Sequence, residues 1–260
     1  MEAPKIKIYT RSMNSALYNR AMFFIDLPYP KVRLLNTSAE GYLYALVQDE
    51  EADIVINIDE DAFIFDLDKL KKLLDYVIVN KYINCGMPDG GVVHLRRMNP
   101  LVTNPYFNIL NTKEIRKQFP MFKETDFNEH KPEYEQALPK DLMNGEYKYV
   151  YYEPYYPFLI WVSQNFKTLY LNAQNHEDGE STILCDHNNQ PFLIHTWYSR
   201  FYNRDKFHTK RINNVVLECG KASHKKYKGS LKDTLESNAF YFFSIIKNIA
   251  KKTKRALIEN

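Results

Sequence analysis

The chain has 260 residues, 45% of them hydrophobic and 26% charged, enough to bury one sizeable core and far from the compositions of disordered or fibrous chains. Its three cysteines, Cys85, Cys185 and Cys219, are widely spaced without a CxxC pair, which argues against a disulfide framework or a zinc site and for a reducing, cytoplasmic setting. The formal net charge of +3 hides an asymmetry: residues 204–260 hold 14 of the 35 basic and 5 of the 32 acidic side chains, so that segment is +9 and the rest −6, an acidic body not expected to bind nucleic acid.

Lys5 to Tyr9 alternates charged and apolar residues and predicts a first strand, followed by a helix from about Ser15 to Ile25 that Pro28 and Pro30 end. The N-terminus enters this strand with no apolar stretch of signal-peptide length, and no segment reaches the roughly 18 uninterrupted apolar residues of a membrane span. Val32 to Asn36 predicts a second strand, and Thr37-Ser38 a cap for a helix over about Ala39 to Glu50. Asp53-Ile-Val-Ile-Asn-Ile58 is the compact β-branched run of a strand buried on both faces, and Leu70, Leu73, Leu74 and Val77 then recur at the spacing of an amphipathic helix over Leu67 to Val77.

This alternation predicts an α/β domain, a mainly parallel Rossmann-like sheet flanked by helices, over residues 1–203, with a basic extension over 204–260. Short strands are expected around the Pro88-Asp89-Gly90-Gly91 turn, and a long polar excursion from Asn99 to about Gly145 with one short helix near Lys113 to Gln118. Further strands are expected at Tyr147 to Tyr152, Thr168 to Leu171 and Phe192 to Thr196.

The chemistry concentrates where the buried strand ends in Asp59-Glu60-Asp61. Residues two apart in extended backbone point the same way, so Asp59 and Asp61 can converge while Glu60 turns away. Three adjacent carboxylates repel one another unless a cation sits among them, and Mn²⁺ or Mg²⁺ favours such oxygen ligands. A solvated acidic turn is the plain alternative.

An apolar strand running into Asp-x-Asp, a hydrophobic residue and an early helix resembles the signature of GT-A-fold glycosyltransferases, most specifically over Asp53 to Leu70. The resemblance implies a metal on the diphosphate of a nucleotide-sugar donor, held by Asp59 and Asp61 with His195 as third ligand, the last on the apolar run Phe192-Leu-Ile-His195; a hydrogen-bonded core histidine is the alternative. It places Gly90 and Gly91 close to the donor sugar, with Asp89 accepting a hydroxyl, although Pro-Asp-Gly-Gly is equally a tight turn. Thr10 and Arg11 at the end of the first strand fall on the substrate side, Arg11 countering leaving-group charge. Trp197 and Arg200 could stack on a sugar or pair with phosphate, or serve packing and the surface. If the reaction inverts, a carboxylate base is needed, and Asp178 in His176-Glu-Asp178-Gly179 is the first choice, ahead of Asp186 and Asp89.

In the tail, Phe242, Ile245, Ile246, Ile249 and Ala250 recur at helical spacing among Lys247, Lys251, Lys252, Lys254 and Arg255. That pattern fits a basic amphipathic helix lying on the inner face of an anionic membrane, or docking its apolar stripe on the domain. The expected activity is transfer of a sugar to a glycan or lipid-linked glycan, in polysaccharide or glycoconjugate synthesis. The rivals are a nucleotidyltransferase acting on sugar phosphates, which normally has a glycine in the loop that here reads Thr10-Arg-Ser-Met-Asn14, and a non-catalytic glycan- or membrane-binding protein.

Overall fold

The computed structural model describes residues 3–249 apart from 36, 152, 230, 232, 234, 237, 240, 241, 243, 244, 247, 248. Ala250, Lys247, Lys251, Lys252, Lys254 and Arg255 of the expected tail helix lie outside the described residues.

The first half follows the alternation in the sequence. Strand β1 (Ile6–Arg11) leads to helix α1 (Ser15–Phe24), β2 (Lys31–Leu34) to α2 (Ala39–Gln48), and β3 (Ile54–Ile58), through the short β4 (Ala62–Ile64), to α3 (Leu67–Val79). Each helix begins where a side chain caps it: Asn14 accepts from the amides of Ala16 and Leu17, Ser38 from Gly41, and Asp66 from Lys69. Helix α3 buries Leu70, Leu73, Leu74 and Val77, the four residues whose spacing predicts it.

Beyond α3 the structure departs from the expected elements. Strand β5 (Asn84–Gly86) is followed by loops rather than strands, and the polar excursion contains β6 (Phe107–Leu110) ahead of α4 (Thr112–Gln118). Residues 147–151 form no strand; instead α5 (Tyr156–Asn165) follows, opened by Pro157 and buried from Tyr156 through Val162. A helix apolar all round has no stripe for periodicity to find, and its place is the interior. Strands β7 (Thr168–Tyr170), β8 (Ala173–Asn175), β9 (Thr182–Cys185) and β10 (Pro191–His195) precede α6 (Lys206–Ala222). Helix α6 lies beyond residue 203 yet sets Ile212, Val215 and Cys219 in the same core as β3 and β4.

The result is a mixed α/β fold. A six-stranded sheet has the order β2-β1-β3-β6-β5-β7, in which β6 alone runs against the other five. Helices cover both faces, one core centring on α1 and α3 and the other on α2 and α5. A smaller antiparallel sheet, β4-β10-β9-β8, stands at the carboxyl ends of the parallel strands, where ligands of open α/β sheets gather. Among the described residues no helix is long and apolar enough to cross a membrane.

Candidate metal centre

The end of β3 becomes a site because the chain there changes sheets. The Asp59 amide donates to the Tyr106 carbonyl (2.9 Å), and the Ala62 amide closes a turn onto the Asp59 carbonyl (3.2 Å). The chain then enters β4, which pairs antiparallel with β10 in a register that sets Ala62 opposite His195. Thr196 fixes the neighbouring residue, donating from both its amide (3.0 Å) and its hydroxyl (3.1 Å) to the Asp61 carbonyl. Thus Asp61 and His195, 134 positions apart, meet with Oδ1 and Nε2 separated by 3.2 Å.

One ligand atom from each of Asp59, Asp61 and His195 lies within 4.8 Å of the others. Oxygen and nitrogen ligands about 2.1 Å from an ion are roughly 3 Å apart along an octahedral edge and 4.2 Å across it, so small side-chain adjustments fit the three to one divalent ion. Asp61 and His195 are buried and Asp59 is partly buried at the mouth. The imidazole is oriented by its neighbours: Tyr106 stacks on it with centroids 4.2 Å apart and Trp197 meets it edge-on at 4.1 Å. His195 Nδ1 and Thr10 Oγ1 are both buried without a hydrogen-bond partner among the described residues.

Burial raises the Asp59 carboxyl to about 6, with Arg11 opposing, Asp61 adding and His195 opposing. A cation must displace that proton, so Mn²⁺ affinity is expected to weaken progressively as pH falls through about 6 and to level off above it, measurable by calorimetric titration across pH.

Glu60 turns away from the two aspartates, and its Oε2 accepts from the Ser12 hydroxyl (2.7 Å) and the amides of Met13 (2.9 Å) and Asn14 (2.7 Å). The middle carboxylate therefore ties the β1–α1 loop to the acidic turn. A cavity of about 230 Å³ opens here, lined by Arg11, Met13, Thr37, Asp59, Glu60 and Ser199.

The remaining expected site residues are used differently. Asp89 is fully buried and accepts from Arg96 Nε (2.7 Å) and Nη2 (2.6 Å), the Tyr156 hydroxyl (2.5 Å) and Asn104, so its oxygens serve the protein rather than a sugar hydroxyl. A Cβ on Gly90 would stand 2.0 Å from the Met98 carbonyl oxygen, and Gly91 adopts φ +81° against Met143 Sδ. The protein itself makes the close approach these glycines permit. This cluster still touches the site indirectly, because the Arg96 guanidinium lies over the Trp197 ring at 5.4 Å.

Asp178 is also committed elsewhere. Its Oδ1 accepts from the amides of Glu180 (3.0 Å) and Ser181 (2.7 Å), and its Oδ2 from the Ser181 hydroxyl (2.7 Å) and Arg211 (3.3 Å). Burial would raise its pKa, but the Ser181 amide and hydroxyl, the Glu180 amide and the nearby His176 together hold it at about 2. A carboxylate that acidic is a weak proton acceptor near neutral pH, which does not suit a general base. It is instead a source of acid sensitivity: relative to the ordinary 3.8, the depressed value contributes about 2 kcal/mol of stability. That contribution is complete above about pH 4 and is lost as pH falls toward 2, so Asp178→Asn should lower the urea midpoint at neutral pH and the difference should shrink in acid.

After His195 the backbone turns through two left-handed residues, Trp197 (φ 54°) and Tyr198 (φ 57°). Side chains of this size cost about 1–3 kcal/mol each in that region and need support. It comes from the Trp197 indole N–H on Thr182 Oγ1 (2.9 Å) and from Arg211 Nη2 on the Trp197 carbonyl (3.3 Å). Arg200 is exposed beyond this turn, against the Phe201 ring. Sequence reasoning found the three candidate ligands and Arg11, but not Tyr106, Arg96 or Arg211, which act through contacts that no local motif records.

No protein-family model and no curated protein matches the chain. Solved structures do resemble it in part. One is the mannosyltransferase PcManGT from Pyrobaculum calidifontis, in complex with GDP-Man and Mn²⁺: TM-score 0.40, 10% identity, 66% of this chain and 56% of that one. Another is A197 from STIV, with TM-score 0.38, 11% identity, 73% of this chain and 93% of that one. The chain thus spans just over half the length of the mannosyltransferase, and likeness at this level assigns no activity. What the fold and site define is a mixed α/β protein with an Asp-Asp-His grouping able to hold a divalent ion.

Proposed function

We propose that the protein is a metal-dependent glycosyltransferase that moves a sugar from a nucleotide-diphosphate donor to a hydroxyl of a glycan or lipid-linked glycan. The observation that carries this reading is the convergence of Asp59, Asp61 and His195 within 4.8 Å at the carboxyl edge of the parallel strands, beside the cavity lined by Arg11. Mn²⁺ or Mg²⁺ bound by these three residues would neutralise the charge that grows on the diphosphate as the glycosidic bond breaks. The chain's own part is to hold the donor in line and exclude water.

Arg11 supplies a cation at the cavity wall for a phosphate oxygen, and the hydroxyl of the neighbouring Thr10 is buried with an unused hydrogen-bonding capacity. Trp197, packed on His195 and under the Arg96 guanidinium, is partly exposed and would meet a sugar with the part of its ring left uncovered, and the exposed Arg200 follows Ser199 of the cavity wall. We leave Asp178 out of the catalytic set because its lone pairs are taken, and Asp89, Gly90 and Gly91 out of the donor contacts because they are packed against protein.

The test is a titration with Mn²⁺ and with Mg²⁺ against a panel of UDP-, GDP- and CDP-sugars, reading donor binding by calorimetry and hydrolysis by nucleotide release. Metal-dependent binding and slow hydrolysis of at least one donor is expected. Binding of none, with or without metal, overturns the reading, and formation of pyrophosphate from a sugar phosphate and a nucleoside triphosphate would replace it with nucleotidyl transfer.

A further inference from the structure

The cavity at the candidate metal centre has an apolar rim. Met13 lines it beside Arg11 and Asp59 and is 43% exposed. Leu35, 48% exposed, follows the last residue of β2 and stands two residues before Thr37 of the cavity wall. Ser199, also in that wall, opens a short 3₁₀ turn, Ser199–Phe201, whose last residue is 39% exposed. Phe207, 61% exposed in the first turn of α6, joins Phe201 through His208, which stacks on the Phe201 ring (centroids 5.3 Å apart) and meets the Phe207 ring edge-on (5.2 Å). Three of these four side chains sit on anchored backbone. The Met13 amide donates to Glu60 (2.9 Å), the Phe201 amide to the Tyr198 carbonyl (2.9 Å), and Asp205 caps the turn that carries Phe207 by accepting from the His208 amide (2.8 Å).

Exposed apolar side chains gathered at the mouth of a cavity mark a binding surface. The charges around them select the ligand. The Arg200 guanidinium lies over the Phe201 ring at 5.5 Å. Lys206 and Lys210, one and three residues from Phe207, line a pocket of about 620 Å³ with Thr209 and Asn213; Asp205 is in the same wall, with one carboxylate oxygen engaged as the helix cap. A free oligosaccharide stacks on flat rings, and Met13 and Leu35 have none to offer. A second copy of the chain would close the cavity and, in a symmetric contact, oppose these cations to their own counterparts. An amphiphile with an apolar chain and a phosphate meets both requirements: the chain takes the rim out of water, and the phosphate pairs with the cations.

We propose that the acceptor is a glycan carried on a lipid phosphate, whose apolar chain lies on Met13, Leu35, Phe201 and Phe207 and whose phosphate is held by Arg200, Lys206 and Lys210. Its role as acceptor rests on the glycosyltransferase reading above, whereas the binding surface does not depend on it. The test is calorimetric titration of the full chain with dodecyl phosphate below its micellar concentration, with dodecyl maltoside as the uncharged chain and glycerol phosphate as the phosphate without a chain. Dodecyl phosphate should bind at least about tenfold more tightly than either. The double variant Phe201→Ser/Phe207→Ser should weaken that binding by more than about tenfold, since two rings lose their burial against the chain. Lys206→Gln/Lys210→Gln should narrow the preference over dodecyl maltoside. Both variants change exposed side chains, so Mn²⁺ binding and the thermal midpoint should stay at the wild-type values, which separates lost binding from lost folding. Binding of dodecyl phosphate with no nucleotide sugar bound would keep the surface and remove its role as acceptor site. The proposal is overturned by a chain that binds a nucleotide sugar but not dodecyl phosphate, by equal affinity of the Phe201→Ser/Phe207→Ser variant, by equal affinity for dodecyl maltoside, or by a dimer in solution that this variant dissolves.

Discussion

Replacing Asp61 with Asn should remove metal-dependent donor turnover by about two to three orders of magnitude, the scale on which loss of one preorganised electrostatic partner acts. Asp61 is the buried member of the acidic pair, its Oδ1 stands 3.2 Å from Nε2 of the imidazole that Tyr106 and Trp197 hold, and Asn keeps its shape while removing its charge. The same substitution relieves the repulsion between Asp61 and Asp59 in the metal-free protein. The metal-free variant should therefore melt no lower than the metal-free wild type. Wild type should gain thermal stability on adding Mn²⁺, as any ligand of the folded state confers, and the variant should gain little. A variant that melts early without metal would locate the role of Asp61 in folding, and one that keeps full metal-dependent turnover would remove it from the site.

Asp89→Ala is expected to cost about 3–5 kcal/mol of unfolding free energy, because it leaves the largely buried Arg96 guanidinium without its counter-charge. Tyr156 and Asn104 would lose an acceptor in the same step. Joint replacement, Asp89→Leu with Arg96→Met, should recover most of the loss, since desolvation of both ions disappears with their attraction. Urea unfolding of the two single variants and the double variant measures the difference directly. If the single variant is as stable as wild type, the cluster is not a structural tie between the Gly90 loop and α5, and Asp89 returns as a ligand-facing residue.

The two cases differ in how far the sequence reveals them. Asp59 and Asp61 stand out because a run of buried β-branched residues leads straight into them, and neither feature depends on what lies elsewhere in the chain. Asp89 sits in a Pro-Asp-Gly-Gly sequence that reads alike as a ligand loop or a tight turn. The choice falls to Arg96, Asn104 and Tyr156, the last of which is 67 positions away. Strand β6 was hidden for a related reason: Phe107 to Leu110 is four residues inside a polar excursion, too short for a period, and it becomes a strand by filling the gap between β3 and β5. Its companion Tyr106, which orients the candidate ligand His195, was hidden with it.

By itself the sequence determined the alternation of strands and helices through α3, the cap at Ser38, and the acidic pair at the end of β3, since each follows from the propensity and spacing of neighbouring residues. Tertiary structure alone decided that β4 pairs with β10 so that Asp61 reaches His195, and that Asp178 and Asp89 spend their charge on Arg211 and Arg96. Those outcomes depend on which distant partner neutralises or covers a group. The free energy of burying a charge is set by that partner and not by the residues beside it in the chain.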